Sequence, residues 1–213
     1  MTLHYERDAS AIYRASFATI RAEAPLDRLP VDLQPLAIRL IHACGMVDLI
    51  DDFEASEDVV LSAHSAIEAG MPILCDTTMV ASGIIRSRLA GNEIVCTLED
   101  ERVPGLAIRE GTTRTAAAVE LWRHRVAGAV VVIGNAPTAL FHLLGCLDEG
   151  WPKPAAILAF PVGFVGAAES KAELVANPRG VPFATVTGRR GGSAMAAAAV
   201  NAVAAGLIEE TGP

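Results

Sequence analysis

Three stretches of this chain gather residues suited to holding an anionic ligand. The first is Ala155-Ala-Ile-Leu-Ala-Phe-Pro-Val-Gly-Phe-Val-Gly-Ala-Ala-Glu-Ser-Lys171, an apolar run that opens into a glycine-rich loop and ends at a cation. The second is Val130-Val-Val-Ile-Gly-Asn-Ala-Pro-Thr138, and the third is Phe183-Ala-Thr-Val-Thr-Gly-Arg-Arg-Gly-Gly-Ser193. Each reads as a strand followed by a loop and a helix start. Helix N-termini present free N–H groups and a positive dipole end, which suit carboxylates or phosphates. Three such junctions at the carboxyl edge of one parallel sheet would form one composite site, where open α/β sheets bind their ligands. One such loop alone would be read as glycines permitting tight turns. Arg86, Arg88, Arg114, Lys171, Arg189 and Arg190 all fall at or near predicted junctions.

Several chemistries are excluded by spacing. Gly163-Phe-Val-Gly166 and Gly188-Arg-Arg-Gly-Gly192 do not match GxGxxG, and neither GxxxxGK[ST] nor GxSxG occurs. His4, His64, His124 and His142 are each read as lacking a metal-ligand partner at i+3 or i+4, so no metal site is expected. His42, in Arg39-Leu-Ile-His-Ala-Cys-Gly-Met46, is different. At 100° per residue it points about 180° from the centre of its helix's apolar stripe. It lies near the helix C-terminus, where the dipole favours its protonated form. From spacing alone a surface or packing histidine is still the favoured reading. Arg114, following Gly111-Thr-Thr113 at a helix start, opposes the dipole and could meet an anionic partner or stand as an ordinary solvated arginine. Asp76-Thr-Thr78 follows a strand and is expected to cap the next helix, or else to line the same pocket edge.

The elements that position these residues follow from periodicity. Helices are predicted over 8–23, 31–44 (with Gly45 as a left-handed cap), 58–69, 78–89, 113–125, 137–147, 170–176 and 193–208. Ser170-Lys-Ala-Glu173 has the pattern of a capping box, so the helix there is expected to begin at Ser170. Strands are predicted over 72–75, 93–97, 129–133, 155–160 and 182–187. Alternation of strand and helix implies parallel pairing with right-handed crossovers. The expected fold class is α/β: a single domain over 1–213, a mainly parallel sheet flanked by helices in an α/β/α, Rossmann-like arrangement. Its first 70 residues are mostly helical, and residues 71–213 alternate strand and helix.

Composition agrees. The 213 residues are 52% hydrophobic but only 5% aromatic, so the core must come mainly from Ala, Val, Ile and Leu. A formal net charge of −8 lacks the basic footprint that nonspecific nucleic-acid binding needs. Cys44, Cys75, Cys96 and Cys146 show no CxxC spacing and read as buried free thiols of a reducing compartment. The charged start Met1-Thr-Leu-His-Tyr-Glu-Arg-Asp8 lacks the apolar region of a secretory signal, and the apolar run 194–208 is too short to span a bilayer. A cytoplasmic protein without membrane partners is expected.

Taken together, several segments resemble the precorrin-8X methylmutase (precorrin isomerase) family of cobalamin biosynthesis. They are Ala11-Ile-Tyr-Arg-Ala-Ser-Phe17, Ile41-His-Ala-Cys-Gly45, Pro72-Ile-Leu-Cys-Asp76, Gly91-Asn92, Thr113-Arg114, Ile133-Gly-Asn-Ala-Pro-Thr-Ala-Leu140, Pro161-Val-Gly-Phe-Val-Gly-Ala-Ala-Glu-Ser-Lys171 and Gly188-Arg-Arg-Gly-Gly-Ser193. The resemblance implies a methyl shift from ring carbon 11 to ring carbon 12 of precorrin-8X, giving hydrogenobyrinic acid. It implies a suprafacial [1,5]-sigmatropic rearrangement with no cofactor. It carries proton donation or acceptance to His42 and substrate contact to Ser16. It also implies a homodimer with the site near the subunit interface. Arg114, Asn135, Thr138, Gly163, Gly166, Lys171, Arg189 and Arg190 are the further substrate-binding candidates, the cations as partners for the macrocycle's carboxylates. His-Ala-Cys-Gly looks closer to the branch with a metal-free substrate. The alternatives are a cobalt-precorrin-8 methylmutase, a noncatalytic corrinoid carrier and, apart from the resemblance, a sugar-phosphate or nucleotide enzyme.

Overall fold

The computed structural model describes residues 3–205. One six-stranded sheet runs through it. It comprises β1 (Phe53–Ala55), β2 (Ile73–Cys75), β3 (Ile94–Cys96), β4 (Val130–Ile133), β5 (Ala156–Ala159) and β6 (Phe183–Val186), in the spatial order β1-β6-β5-β4-β2-β3. The pairs from β3 through β6 are parallel, as expected. β1 is an addition: it pairs antiparallel with β6, Phe53 opposite Val186. Three residues at a sheet edge leave too short a pattern to read as a strand.

Strand side chains alternate between two apolar layers. Val130, Val132, Ala156 and Leu158 enter one, while Val131, Ile133, Ile157 and Ala159 enter the other. That is the two-residue period of a strand, and covering both faces accounts for the unbroken apolar runs. The first layer is completed by α1 (Ala9–Glu23), α2 (Gln34–Cys44), α3 (Val59–Glu68), α4 (Thr78–Gly83) and α9 (Ser193–Ala204). The second is completed by α6 (Arg114–Glu120), α7 (Pro137–Asp148) and α8 (Ala167–Ala176), with α5 (Val103–Glu110) packed on α6. Among the described residues no helix is long and apolar enough to cross a membrane.

Several helix limits differ from expectation. α5 was not expected. α4 stops at Gly83, where an added Cβ would lie 2.7 Å from the Ala197 Cβ of α9. α6 ends at Glu120 rather than 125. α8 begins at Ala167, not Ser170: Gly166 takes φ 79° and starts the helix one turn earlier. Ser170 is therefore a fully buried helix residue whose hydroxyl donates to the Ala167 carbonyl, and Glu173 pairs with Arg179 at 2.7 Å. No capping box forms. The expected continuation of α9 through 206–208 lies outside the described residues.

The chain leaves β2 for β3 on one side and returns to β4 on the other, so the topological switch point lies between β2 and β4. Asp76, only 2% exposed, fills it. Its Oδ1 accepts the Gly134 N–H at 3.0 Å, and its Oδ2 accepts the N–H groups of Asn135 and Ala136 at 2.9 Å each. The cap of α4 expected from Asp76-Thr-Thr78 is Thr77, which accepts from the Val80 N–H, leaving Asp76 to the turn. Burial pushes the Asp76 carboxyl up from its ordinary value, opposed by these three N–H bonds. Gly134 is required here, since a Cβ would stand 2.6 Å from Val80 Cγ2 and 2.8 Å from the Ser193 Cα. Asp76→Ala would leave these donors without an acceptor and is expected to cost about 3 kcal/mol in chemical denaturation. An unchanged midpoint would show that the turn holds itself.

Candidate active site

His42 sits in the last turn of α2, which Gly45 closes in the left-handed conformation, its N–H bonding the Ile41 carbonyl at 2.7 Å. α2 buries Leu36, Ala37, Ile38, Arg39, Leu40 and Ile41, whereas His42 is exposed, in line with the rotation of 100° per residue that turns it away from the apolar stripe. α1 crosses in front of it. Positions 13, 16 and 17 of α1 share one face, and all three meet His42. Ser16 Oγ lies 2.9 Å from His42 Nδ1. The rings of Phe17 and Tyr13 stand edge-on to the imidazole, with centroids 5.2 and 5.6 Å away. Arg39, one turn before His42, lays its guanidinium over the same two rings at 5.4 and 5.6 Å.

These neighbours set the state of the imidazole. Partial burial, followed by the Arg39 charge, lowers the His42 pKa below its ordinary value. The helix dipole favours the protonated ring, whereas desolvation and the like charge of Arg39 oppose it. Neutral His42 has one donor and one acceptor nitrogen. The Ser16 hydroxyl can donate to Nδ1 or accept from it; in the tautomer where it donates, Nε2 carries the proton and is the nitrogen that faces a ligand. A hollow of about 270 Å³ opens beside the pair, lined by Ser16, Thr19, Glu23, His42, Gly45 and Val47 among others.

The glycine-rich loops form a second hollow of about 290 Å³, lined by Met46, Gly163, Phe164, Arg189, Arg190 and Met195 among others. Met46 lines this hollow, and Val47, next in the chain, lines the other. Gly191 lies against the backbone: an added Cβ would stand 2.3 Å from the Phe160 carbonyl oxygen. Gly163 N–H donates to the Arg189 carbonyl at 3.2 Å, joining the loops. Phe164 is 83% exposed, with the Arg189 guanidinium stacked 5.2 Å from its ring. Arg190 is engaged within the chain, bonding Asp48 at 2.8 Å and also pairing with Asp52.

Lys171 is not where a direct ligand contact would be. It is fully buried, and its ammonium donates to the Arg190 carbonyl at 2.5 Å. It braces the 187–192 loop from behind. The remaining candidates cluster elsewhere on the edge. The Thr113 and Thr115 hydroxyls meet Thr138 Oγ1 at 2.8 and 3.0 Å. Arg114 donates to the Leu98 carbonyl at 3.2 Å and lies 3.5 Å from Glu99, so an anionic partner already stands within the chain. Asn135 has an exposed side chain, while its N–H serves Asp76. Gly166 connects the groups, since its Cβ position lies 3.3 Å from Pro137 Cβ. The structure thus joins His42 with Ser16, and Gly163 with Arg189, Arg190 and Lys171. Thr138 lines a separate hollow beside α6 and α7. Tyr13, Arg39 and the Asp48–Asp52 anchor of Arg190 were missed as site residues. The one signal for Tyr13 was its spacing of three from Ser16.

A doubly wound sheet whose switch point is closed by its own carboxylate, with a serine-held histidine on the helices beside it, defines a protein of the α/β, Rossmann-like class. Residues 11–205 match the family model described as precorrin-8X methylmutase. The precorrin-8X methylmutase of Pseudomonas aeruginosa is 62% identical over 203 residues, covering 95% of this chain and 98% of that protein. The cobalt-precorrin-8 methylmutase of Salmonella typhimurium is 37% identical over 209 residues, covering 94% and 97%. The solved precorrin-8x methyl mutase of Thermus thermophilus superposes with a TM-score of 0.83 at 36% identity, covering 92% of this chain and 94% of that one. The chain belongs to the precorrin-8X methylmutase family and is an isomerase.

Two measurements check this geometry. In an NMR pH titration, the His42 ring should titrate below the ordinary histidine value, and Arg39→Met should move it upward. An unmoved pKa in that variant would remove the Arg39 charge as a cause. For Lys171, burial lowers the pKa to about 8. The unfolded chain holds this proton to about pH 10.4. Between about pH 8 and 10 the unfolded state therefore binds more protons, and this group makes stability rise with pH. Lys171→Met should abolish that rise relative to wild type in denaturant titrations. Parallel pH dependences would contradict a buried ammonium.

Proposed function

We propose that the chain catalyses the [1,5]-sigmatropic methyl shift from ring carbon 11 to ring carbon 12 of precorrin-8X, giving hydrogenobyrinic acid. The observation that carries this reading is the Ser16–His42 pair, framed by Tyr13, Phe17 and Arg39, in a chain so close to a precorrin-8X methylmutase. Substrate and product are isomers, so the step needs no oxidant, reductant or second substrate. The protein's part is to hold one tautomer and one ring shape. Neutral His42 with its proton on Nε2 can donate to the macrocycle and take the proton back, while Ser16 fixes the tautomer. A donor held in place ahead of reaction acts without reorganisation as charge develops on the conjugated ring.

Binding follows from the surrounding walls. A corrinoid is far larger than either hollow, so it would lie across both, over the strip formed by Gly45, Met46 and Val47. Phe164 offers an apolar face to the ring, and Arg189 a guanidinium to its carboxylates. Arg190 and Lys171 shape that loop from within. Arg114, Asn135 and Thr138 would take carboxylates at the far rim. Two shallow, open hollows favour completion of the site by a second copy of the chain, hence a homodimer with the site near its interface. The metal-free substrate is favoured over the cobalt form by identities of 62% and 37% to the respective relatives. The free thiols suit a reducing, cytoplasmic setting.

Purified protein mixed with excess precorrin-8X should shift the absorption spectrum to that of hydrogenobyrinic acid over many turnovers. A single stoichiometric binding event without turnover would identify a corrinoid carrier instead. His42→Ala should lower turnover by at least about 100-fold while product binding largely survives. Undiminished turnover would take His42 out of the mechanism.

A further inference from the structure

The hollow between α6 and α7 holds a second group of chemically capable side chains, remote in role from the Ser16–His42 pair. Glu120 ends α6, and His142 and Cys146 stand one turn apart on α7. The absence of an i+4 partner for His142, expected from the sequence, is therefore corrected: Cys146 is that partner. His142 Nε2 lies 2.6 Å from Glu120 Oε1, and the Cys146 sulfur lies 3.9 Å from the same oxygen. One nitrogen, one sulfur and one oxygen thus fall within 4.8 Å of one another. They line a hollow of about 340 Å³ that Glu149 also borders. Cys146 is buried, while His142 and Glu120 are partly exposed at the opening.

We propose that Glu120, His142 and Cys146 form a binding site for a divalent cation of the zinc class. The argument rests on donor type, spacing and charge. Zinc takes imidazole nitrogen, thiolate sulfur and carboxylate oxygen at about 2.0–2.3 Å in a tetrahedron. Donor atoms of such a tetrahedron are separated by roughly 3.2–3.8 Å. The Glu120–Cys146 separation is near this range already, and the Glu120–His142 separation reaches it by a sub-ångström movement of two partly exposed side chains. An i,i+4 pair on one helix face is a ligand spacing that needs no backbone change. Negative charge from Glu120 and Glu149 gathers around the Cys146 sulfur, offset in part by Arg123, which makes the pocket attractive to a cation. Hard oxygen, borderline nitrogen and soft sulfur together suit zinc better than magnesium or calcium, which prefer oxygen alone. Three protein ligands leave a fourth position towards the hollow for water or an added ligand. α6 and α7 would be clamped by the ion, because each contributes a donor.

Cobalt(II) titration of the full-length protein, reduced and metal-stripped, tests this directly. One ion per chain should bind, with the tetrahedral d–d bands and the sulfur-to-cobalt charge-transfer band of a thiolate ligand, and zinc should displace it. Cys146→Ala should remove the charge-transfer band, and His142→Gln should weaken binding by at least about tenfold. Zinc should raise the unfolding temperature of wild type more than that of either variant. A charge-transfer band that persists in both variants would overturn the proposal. So would cobalt binding without that band in wild type. His142→Gln alters a partly exposed side chain, so it keeps the test decisive should Cys146→Ala fold poorly.

Discussion

The Asp76 carboxylate is the contact on which the rest of the structure depends. It sits where the sheet reverses its winding, and it bonds three consecutive N–H groups leading into α7. Without an anion there, this turn would present free donors to the crevice, as nucleotide-binding sheets do. With it, the turn is fixed, and Gly134 can close down on α4 and α9. The crevice most α/β folds use for phosphate is therefore occupied by the protein itself. The ligand chemistry proposed for the chain then falls outward, on the β5 and β6 loops and on the α1–α2 pair packed against α9.

That displacement divides the work. The β5 and β6 loops have a rigid backing: Gly191 presses on the Phe160 carbonyl, and Lys171 anchors Arg190 from below. They suit the steady task of shaping a wall. The Ser16–His42 pair, proposed to handle the proton, is made of helix side chains packed through rings rather than through the sheet. Tyr13 and Phe17 serve twice, holding the imidazole edge-on and giving Arg39 a surface to stack on. Both effects keep His42 neutral, one by excluding water and the other by bringing a positive charge near.

Much of this was legible in the residues. The parallel strands announced themselves as short apolar runs ending in glycine or polar loops, because both of their faces are covered. His42's outward direction followed from helix rotation alone. What failed were features decided by distant partners. Ser170-Lys-Ala-Glu173 carries a true capping pattern, yet Gly166 adopts a left-handed conformation and starts the helix earlier. Asp76 has the local look of a cap, but its acceptors are used by residues 58 to 60 positions away. β1 and α5 are short, and only their packing makes them regular. The stacking of Arg39 on Tyr13 joins two helices whose spacing along the chain says nothing of their crossing.

α1 deserves to be weighed as a structural part in its own right. Only two of its fifteen residues, Phe17 and Ile20, are buried. Such side chains contribute roughly 1.5–3 kcal/mol each on burial, a small sum against the entropy of ordering the helix. Ser16, Tyr13 and Phe17 all ride on this lightly buried element, while His42 is held by α2, which packs on α9. The working lifetime of the site is then governed by the adhesion of one helix and not by the cohesion of the whole molecule. In the chain taken alone, α1 would come away before the sheet melted, and anything that bridges it to its neighbours, a bound product or a second copy included, would act as a preservative.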